Sequence, residues 1–176
     1  MLARFDIESA KPKKTLMDSK TRFEPNPNKA TAQEITWFQQ VIGCLLFLTL
    51  AIRPDISYYV IKLARFASNP SELHIVAAKN VLRYLKGTKA LGLIYQNNPN
   101  KYISGYCDVD YAGDIGTAKS TSGFCFYLAN CLVSWKSKLQ NVIAQSTTEA
   151  EYMAINSTAK EAVFIKQLLT ELGYYN

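Results

Sequence analysis

The sequence predicts an α/β fold in which an N-terminal helical segment precedes three antiparallel strands and one final helix. Between Thr31 and Gly87 the apolar residues recur at helical spacing between capping signals. After Gly87 the period shortens to runs of β-branched and aromatic residues separated by Asn, Pro, Gly and Ser clusters. A second capping signal at Ser146 then opens one more helical stretch. With 176 residues, 48% of them apolar, the chain can bury a core but has no room for a full multidomain enzyme.

Taken in order, residues 1–31 read as an extended arm rather than packed structure. They are polar, broken by Pro12, Pro25 and Pro27, and carry Lys11, Lys13 and Lys14 close together. A helical segment is expected over 32–100. Thr31 and Glu34 have capping-box spacing, and the helix they open runs to about Ala51, apolar nearly all round in its second half. Arg53-Pro54-Asp55 breaks it, and Asp55 or Ser57 is expected to cap a second helix through about Ala67. Asn69-Pro70-Ser71 starts a third, ending at Lys86-Gly87, with Leu73, Ala77, Val81, Tyr84 and Leu85 as its buried stripe.

Four runs then read as strands: Leu91–Gln96, Lys101–Asp108, Phe124–Leu128 and Cys131–Lys136. The last two, separated only by Ala129-Asn130, form a tight hairpin. Ser146 and Glu149 have capping-box spacing, and the final helix runs to Leu172 before Gly173 stops it. Residues 101–176 are thus expected to make one small domain.

Charge is uneven. Residues 1–100 carry 14 basic and 7 acidic side chains, residues 101–176 only 6 and 7, so a polyanion would meet the first half. The longest apolar run, Val41–Ile52, has 12 residues, short of the roughly 20 that span a bilayer, and reads as a buried helix. The N-terminus lacks an apolar segment with a small-residue cleavage site, so an intracellular, unsecreted protein, cytoplasmic or nuclear, with no membrane partner is expected. Cys44, Cys107, Cys125 and Cys131 show no CxxC spacing and sit in apolar surroundings, so they read as buried reduced thiols rather than a zinc site or disulfide framework, and a lone histidine, His74, leaves no His-rich metal cluster.

Two constellations can carry function. In the third helix Lys79, Arg83 and Lys86 line one side at spacings of four and three, either as a track for nucleic-acid phosphates or as a solvated face. Asp108, Asp110 and Asp114 gather at the end of a strand, where they either begin a turn or share a cation. At about 100° per residue, Glu151 falls beside Ile155, Thr158, Ala162, Ile165 and Leu169, so it is expected to face the core while Glu149 faces water. A buried carboxylate needs a partner, and a divalent cation shared with Asp108 would supply one. Carboxylates converging from a strand and a helix are what oxygen-ligated Mg²⁺ requires for phosphodiester cleavage, although two acids alone also fit a single structural ion or a salt bridge to Lys136 or Lys138.

Nearly the whole chain resembles the copia-type retrotransposon Pol polyproteins, in the stretch from the end of the reverse transcriptase into the RNase H domain. The resemblance is carried by IGCLLFLTLAIRPDISY (42–58), HIVAAKNVLRYLKGT (74–88), GYCDVDYAGD (105–114), KSTSGFCFYL (119–128), LVSWKSKLQ (132–140) and STTEAEYMA (146–154), in that order. It implies that residues 32–100 are the helical connection after the polymerase palm. Residues 101–176 would be a truncated RNase H-like fold of the kind that cleaves RNA in RNA–DNA hybrids with Mg²⁺. Asp108 would correspond to the first-strand acid, and Glu151, in its Glu-x-x-Ala, to the helix acid; both would be catalytic and metal-ligating.

Small departures from the family pattern are Ile52, Tyr111, Ala118 and Ala129, none at a candidate ligand. The larger departure is at the ends. An RNase H-like domain continues beyond such a helix with a strand bearing a third carboxylate, and the polymerase palm lies upstream. The expectation is a polyprotein fragment, inactive alone, whose partners would be the missing polymerase and RNase H portions and, weakly, an RNA–DNA hybrid or other nucleic acid. A non-catalytic nucleic-acid-binding or interaction module, and a remnant without activity, are the alternatives.

Overall fold

The computed structural model describes residues 1–17, 21–97 and 102–174. They form two compact units, Met1–Leu93 and Ile94–Asn176.

The first unit is helical: α1 (Ala32–Ala51), α2 (Ser57–Ala64) and α3 (Glu72–Gly87), with 3-10 turns at Ala3–Phe5 and Pro54–Ile56. Thr31 and Glu34 close the expected capping box, the Glu34 N–H donating to Thr31 Oγ1 at 3.2 Å and the Thr31 N–H to Glu34 Oε2 at 2.8 Å. These bonds hold the Glu34 carboxyl below its usual pKa. α1 is long and apolar enough to cross a membrane by length and composition, but its Phe38, Val41, Ile42 and Leu45 are buried in the core of this unit.

Asp55 does not cap α2, whose first turn has no side-chain cap. It pairs instead with Arg53, which is 5% exposed and donates from Nε and Nη2 at 2.9 and 2.8 Å. Arg53 also donates to the Thr88 carbonyl and hydroxyl, and the Tyr84 hydroxyl donates to Asp55, so this knot ties the α1–α2 corner to the end of α3. Burial opposes ionisation of Asp55, but bonds from Arg53 and Tyr84 outweigh it and hold the pKa below the ordinary value. Such a pair adds little net stability, while loss of one partner alone is costly.

α3 buries His74, Ala77, Ala78, Val81, Leu82 and Leu85. Leu73, expected in that stripe, is 48% exposed, because the His74 ring takes the inward position of the first turn. The arm also differs from expectation. It has little regular structure, yet Phe5, Ile7 and Phe23 are buried in the same core, so it packs on the helices instead of trailing from them. Its far end is fastened by Asn69, which accepts from the Ala30 N–H at 2.9 Å and donates to the Asn28 carbonyl at 2.9 Å.

The second unit holds β1 (Ile103–Asp110), β2 (Thr121–Leu128), β3 (Cys131–Leu139) and α4 (Thr147–Glu171). The three strands form an antiparallel sheet in the order β1-β2-β3, with a bulge between β2 and β3 at Phe126/Tyr127. The β2–β3 turn places Ala129 and Asn130 at φ 53° and 64°, the left-handed pair a two-residue hairpin requires. Leu91–Gln96, expected as a strand, joins no ladder; Ile94 and Tyr95 are 72% and 61% exposed, so alternation without a neighbouring strand does not make one here. Lys101 lies outside the described residues. α4 packs on β1 and β2, where Phe126, Ile165 and Leu169 form a small core with Ile103, Phe124, Leu128 and Ala162 around it.

Candidate functional site

The β1–β2 register decides where the aspartates point. Ile103, Gly105 and Cys107 lie opposite Leu128, Phe126 and Phe124, and residues directly opposite share a face. That is the face α4 covers, so alternation sends Asp108, opposite Gly123, and Asp110, opposite Thr121, to the other face. Asp108 is exposed. Asp110 folds its carboxylate over Gly113, where a Cβ would fall 1.9 Å from Asp110 Oδ2, so a larger residue there would displace that carboxylate. Asp114 accepts a short bond from the Thr117 hydroxyl and the Ala118 N–H at its carbonyl. Asp110 and Asp114 therefore shape the loop, as turn aspartates do.

Glu151 does not face the core. The buried residues of α4 are Ala150, Ala154, Ile165 and Leu169, and Glu151 lies exposed at the margin of that stripe. With a three-stranded sheet beneath it, the helix buries a narrower stripe, centred on the alanines rather than on Ile155, which is 48% exposed. Glu149, expected to face water, is half-buried; its carboxylate accepts from the Gln145 N–H at 2.7 Å while its own N–H donates to Ser146 Oγ at 3.1 Å.

The start of α4 is held to one end of the sheet by Gln140, a residue with no sequence signal. Its N–H donates to the Ser120 carbonyl at 2.8 Å, and its Nε2 donates to Ser122 Oγ and to the Ala150 carbonyl, both at 2.9 Å. Ser122 pairs with Val109, between the two strand aspartates. Asp108 and Glu151 are thus brought to the same end of the unit, on opposite sides of β1. Among the described residues no group of three or more His, Cys, Asp or Glu side chains comes together as a metal site. Among the described residues, Asp108 and Glu151, the acids the resemblance implies for Mg²⁺, are separated and exposed. They do not make an octahedral oxygen cage between them, and no catalytic step is derived through it.

The basic side of α3 is also not a free track. Arg83 Nε donates to the Lys11 carbonyl at 2.7 Å, while Lys86 Nζ donates to the carbonyls of Glu8 at 2.5 Å and Ala10 at 2.8 Å. The Lys13 N–H returns a bond to the Arg83 carbonyl at 3.2 Å. Lys79 lies over the Trp37 ring, 5.5 Å from its centroid. Two of the three cations expected to follow phosphates instead hold the arm, and the sequence showed only their spacing.

His74 caps α3 from inside, its Nδ1 accepting the Ser71 N–H at 2.9 Å. The ring stacks on Phe66 at 3.9 Å, and its Nε2 is buried without a hydrogen-bond partner. Burial pushes its pKa down to about 4. The serine three residues before a histidine was a legible capping signal, since an imidazole nitrogen can take the place of the usual Glu or Gln oxygen.

No protein-family model matches the chain, and no solved structure matches it. Curated relatives do. Over 180 residues it is 36% identical to a retrovirus-related Pol polyprotein from transposon TNT 1-94 of Nicotiana tabacum, a match covering 99% of this chain and 14% of the relative. Over 174 residues it is 38% identical to the corresponding polyprotein from transposon RE1 of Arabidopsis thaliana, covering 98% of this chain and 12% of the relative. A shorter relative, a secreted RxLR effector protein of Plasmopara viticola, is 41% identical over 128 residues, covering 73% of this chain and 90% of that protein. The chain spans 12–14% of the length of the two polyproteins, and across that span the similarity runs through both the helical and the sheet unit. The chain belongs to the retrovirus-related Pol polyproteins of copia-type transposons.

Proposed function

We propose that this chain is the part of a copia-type Pol polyprotein that joins the end of the reverse transcriptase to an RNase H-like domain. In that reading Asp108 and Glu151 are two of the acids with which the completed domain cleaves the RNA strand of an RNA–DNA hybrid. The observation that carries it is the placement of the two acids. Gln140 binds the start of α4 to the end of the sheet at which Asp108 stands, leaving both carboxylates exposed on either side of an edge strand. A further ligand from an adjoining segment could enter there.

The 176-residue polypeptide by itself lacks that activity, because its two acids do not converge with a third among the described residues. Incubating the purified chain with a labelled RNA–DNA hybrid and Mg²⁺ or Mn²⁺ is expected to give no cleavage. Cleavage that disappears in Asp108→Asn would refute the inactivity and assign the chain as a nuclease. Binding to the hybrid is expected to be weak, indifferent to sequence and reduced by salt, as contact through scattered lysines dictates.

A second reading is a non-catalytic interaction module. It is favoured by the Plasmopara viticola relative, 90% of whose length is this segment, so that a protein consisting of little else occurs. Hybrid binding that persists at high salt, or none at any salt, would favour this reading over the first.

A further inference from the structure

Arg83 and Lys86 hold the arm by its carbonyls, and a carbonyl is neutral, so neither cation loses its charge in doing so. What they draw against α3 is more positive charge. The arm runs here through Lys11, Pro12, Lys13 and Lys14, the Lys11 carbonyl accepting from Arg83 and the Lys13 N–H donating to the Arg83 carbonyl at 3.2 Å. Gly87 lets it come this close. A Cβ at that position would lie 2.9 Å from the Lys13 carbonyl oxygen and 3.3 Å from Pro12 Cβ.

The stretches 11–14 and 83–89 together carry six cations, Lys11, Lys13, Lys14, Arg83, Lys86 and Lys89, and no acid. Among the described residues no carboxylate pairs with any of the six. Asp6 and Glu8 lie upstream, and Asp55 is already bound by Arg53 and Tyr84. Complementing the negative end of the α3 dipole accounts for Lys86 and Lys89. It does not account for three lysines brought in by the arm. Like charges gathered without counter-charge repel one another, and a polyanion relieves that repulsion while releasing counterions of its own.

We propose that the arm presents the polyanion-contacting surface of the helical unit: Lys11, Lys13 and Lys14, positioned by Arg83, Lys86 and Gly87, bind the phosphate backbone of nucleic acid. Lys11 and Lys14 are exposed and Lys13 is half-buried. Lysines act there as point charges that fix position and read no sequence. A lipid surface is the poorer match, because Leu16 and Met17, the apolar residues that follow, pack on the core of the unit and leave this stretch nothing to insert. α3 thus places the cations of the arm instead of being the track itself. The choice of nucleic acid rests on the proposed function, whereas the placement of the lysines does not.

Titrating the full chain with a labelled RNA–DNA hybrid over a range of salt concentrations tests it. Lys11→Gln, Lys13→Gln and Lys14→Gln together should weaken binding about tenfold or more at low salt and make the slope of log affinity against log salt shallower by about 2–3. Lys29→Gln, Lys160→Gln and Lys166→Gln together remove the same charge from exposed positions elsewhere and should do less than about half as much. Gly87→Val changes no charge but crowds Lys13, and should weaken binding severalfold while circular dichroism shows α3 still helical. Equal effects of the two triple variants would overturn the proposal. So would native affinity in Gly87→Val, or binding to phosphatidylserine vesicles or polyglutamate as tight as to the hybrid at the same salt. The readout is binding alone, so its failure leaves the cleavage test of the RNase H reading untouched, and failure of cleavage leaves this one untouched.

Discussion

The helical unit and the sheet unit solve the packing problem to different extents. In the first, three helices and the arm share one core in which Phe38, Val41, Leu45, Ile56, Val60, Leu63, Ala78, Val81 and Leu82 are fully enclosed. In the second, Phe126, Ile165 and Leu169 form the buried cluster, and α4 with 25 residues buries four of them, against six of 16 in α3. A helix that must cover a three-stranded sheet by itself leaves Ile155, Val163, Phe164 and Leu168 about half exposed. The difference teaches that the sheet unit holds its shape through backbone ladders and the Gln140 clasp more than through apolar burial, and so stands nearer the limit of independent stability.

Truncating the two cores should widen that contrast most. Phe38→Ala, at a site with no exposure, is expected to cost the helical unit about 3–5 kcal/mol by chemical denaturation. Phe126→Ala should instead leave the helical unit unchanged while exchange protection collapses across β1, β2 and α4. Equal losses in both units after either substitution would show that they do not unfold separately.

Acid should act on the helical unit through His74. His74 is neutral in the fold, with its pKa depressed to about 4 by burial, whereas in the unfolded chain it titrates near 6.5. The unfolded state therefore binds the proton first. The His74 contribution is complete above about pH 6.5, falls as pH drops towards 4 and levels off below, a loss on the order of 3 kcal/mol, and the depressed Glu34 and Asp55 carboxyls add a further loss in stronger acid. Denaturation midpoints measured across that range, with His74→Gln as the control that removes the slope, check both sign and window.

The smallest change should strengthen the weaker unit. Ala129 holds φ 53° in the β2–β3 turn, a conformation that costs a residue with a Cβ about 1 kcal/mol relative to glycine. Ala129→Gly is expected to raise the unfolding midpoint of the sheet unit by that order, measured by exchange of the β2 and β3 amides.

Local chemistry was legible where it involves neighbours in sequence. The Thr31–Glu34 box, the Ala129-Asn130 hairpin and the stop at Gly173 all follow from residues within a few positions of one another. What escaped was set by distant partners. Asp55 was lost to Arg53 and Tyr84 as a cap, Arg83 and Lys86 turned to the arm, and Glu151 moved out of the core because the sheet beneath α4 is narrow. Helical angle fixes the order of residues around α4, but only the neighbour decides where the buried sector begins. The same limit applies to the candidate site. Asp108 and Glu151 could be singled out by type and position, whereas the face to which Asp108 points depends on a strand register that no single segment encodes.

The arm also imposes a timetable on synthesis. Its carbonyls at Glu8, Ala10 and Lys11 are held by side chains 72 to 78 residues later in the chain. A ribosome adding about 5–20 residues per second makes those partners several seconds after the arm has been synthesised. Throughout that interval Phe5, Ile7 and Phe23 have no finished core to enter. The nascent arm is therefore open to chaperones until α3 clears the exit tunnel, after which the closing of Arg83 and Lys86 on the arm withdraws it.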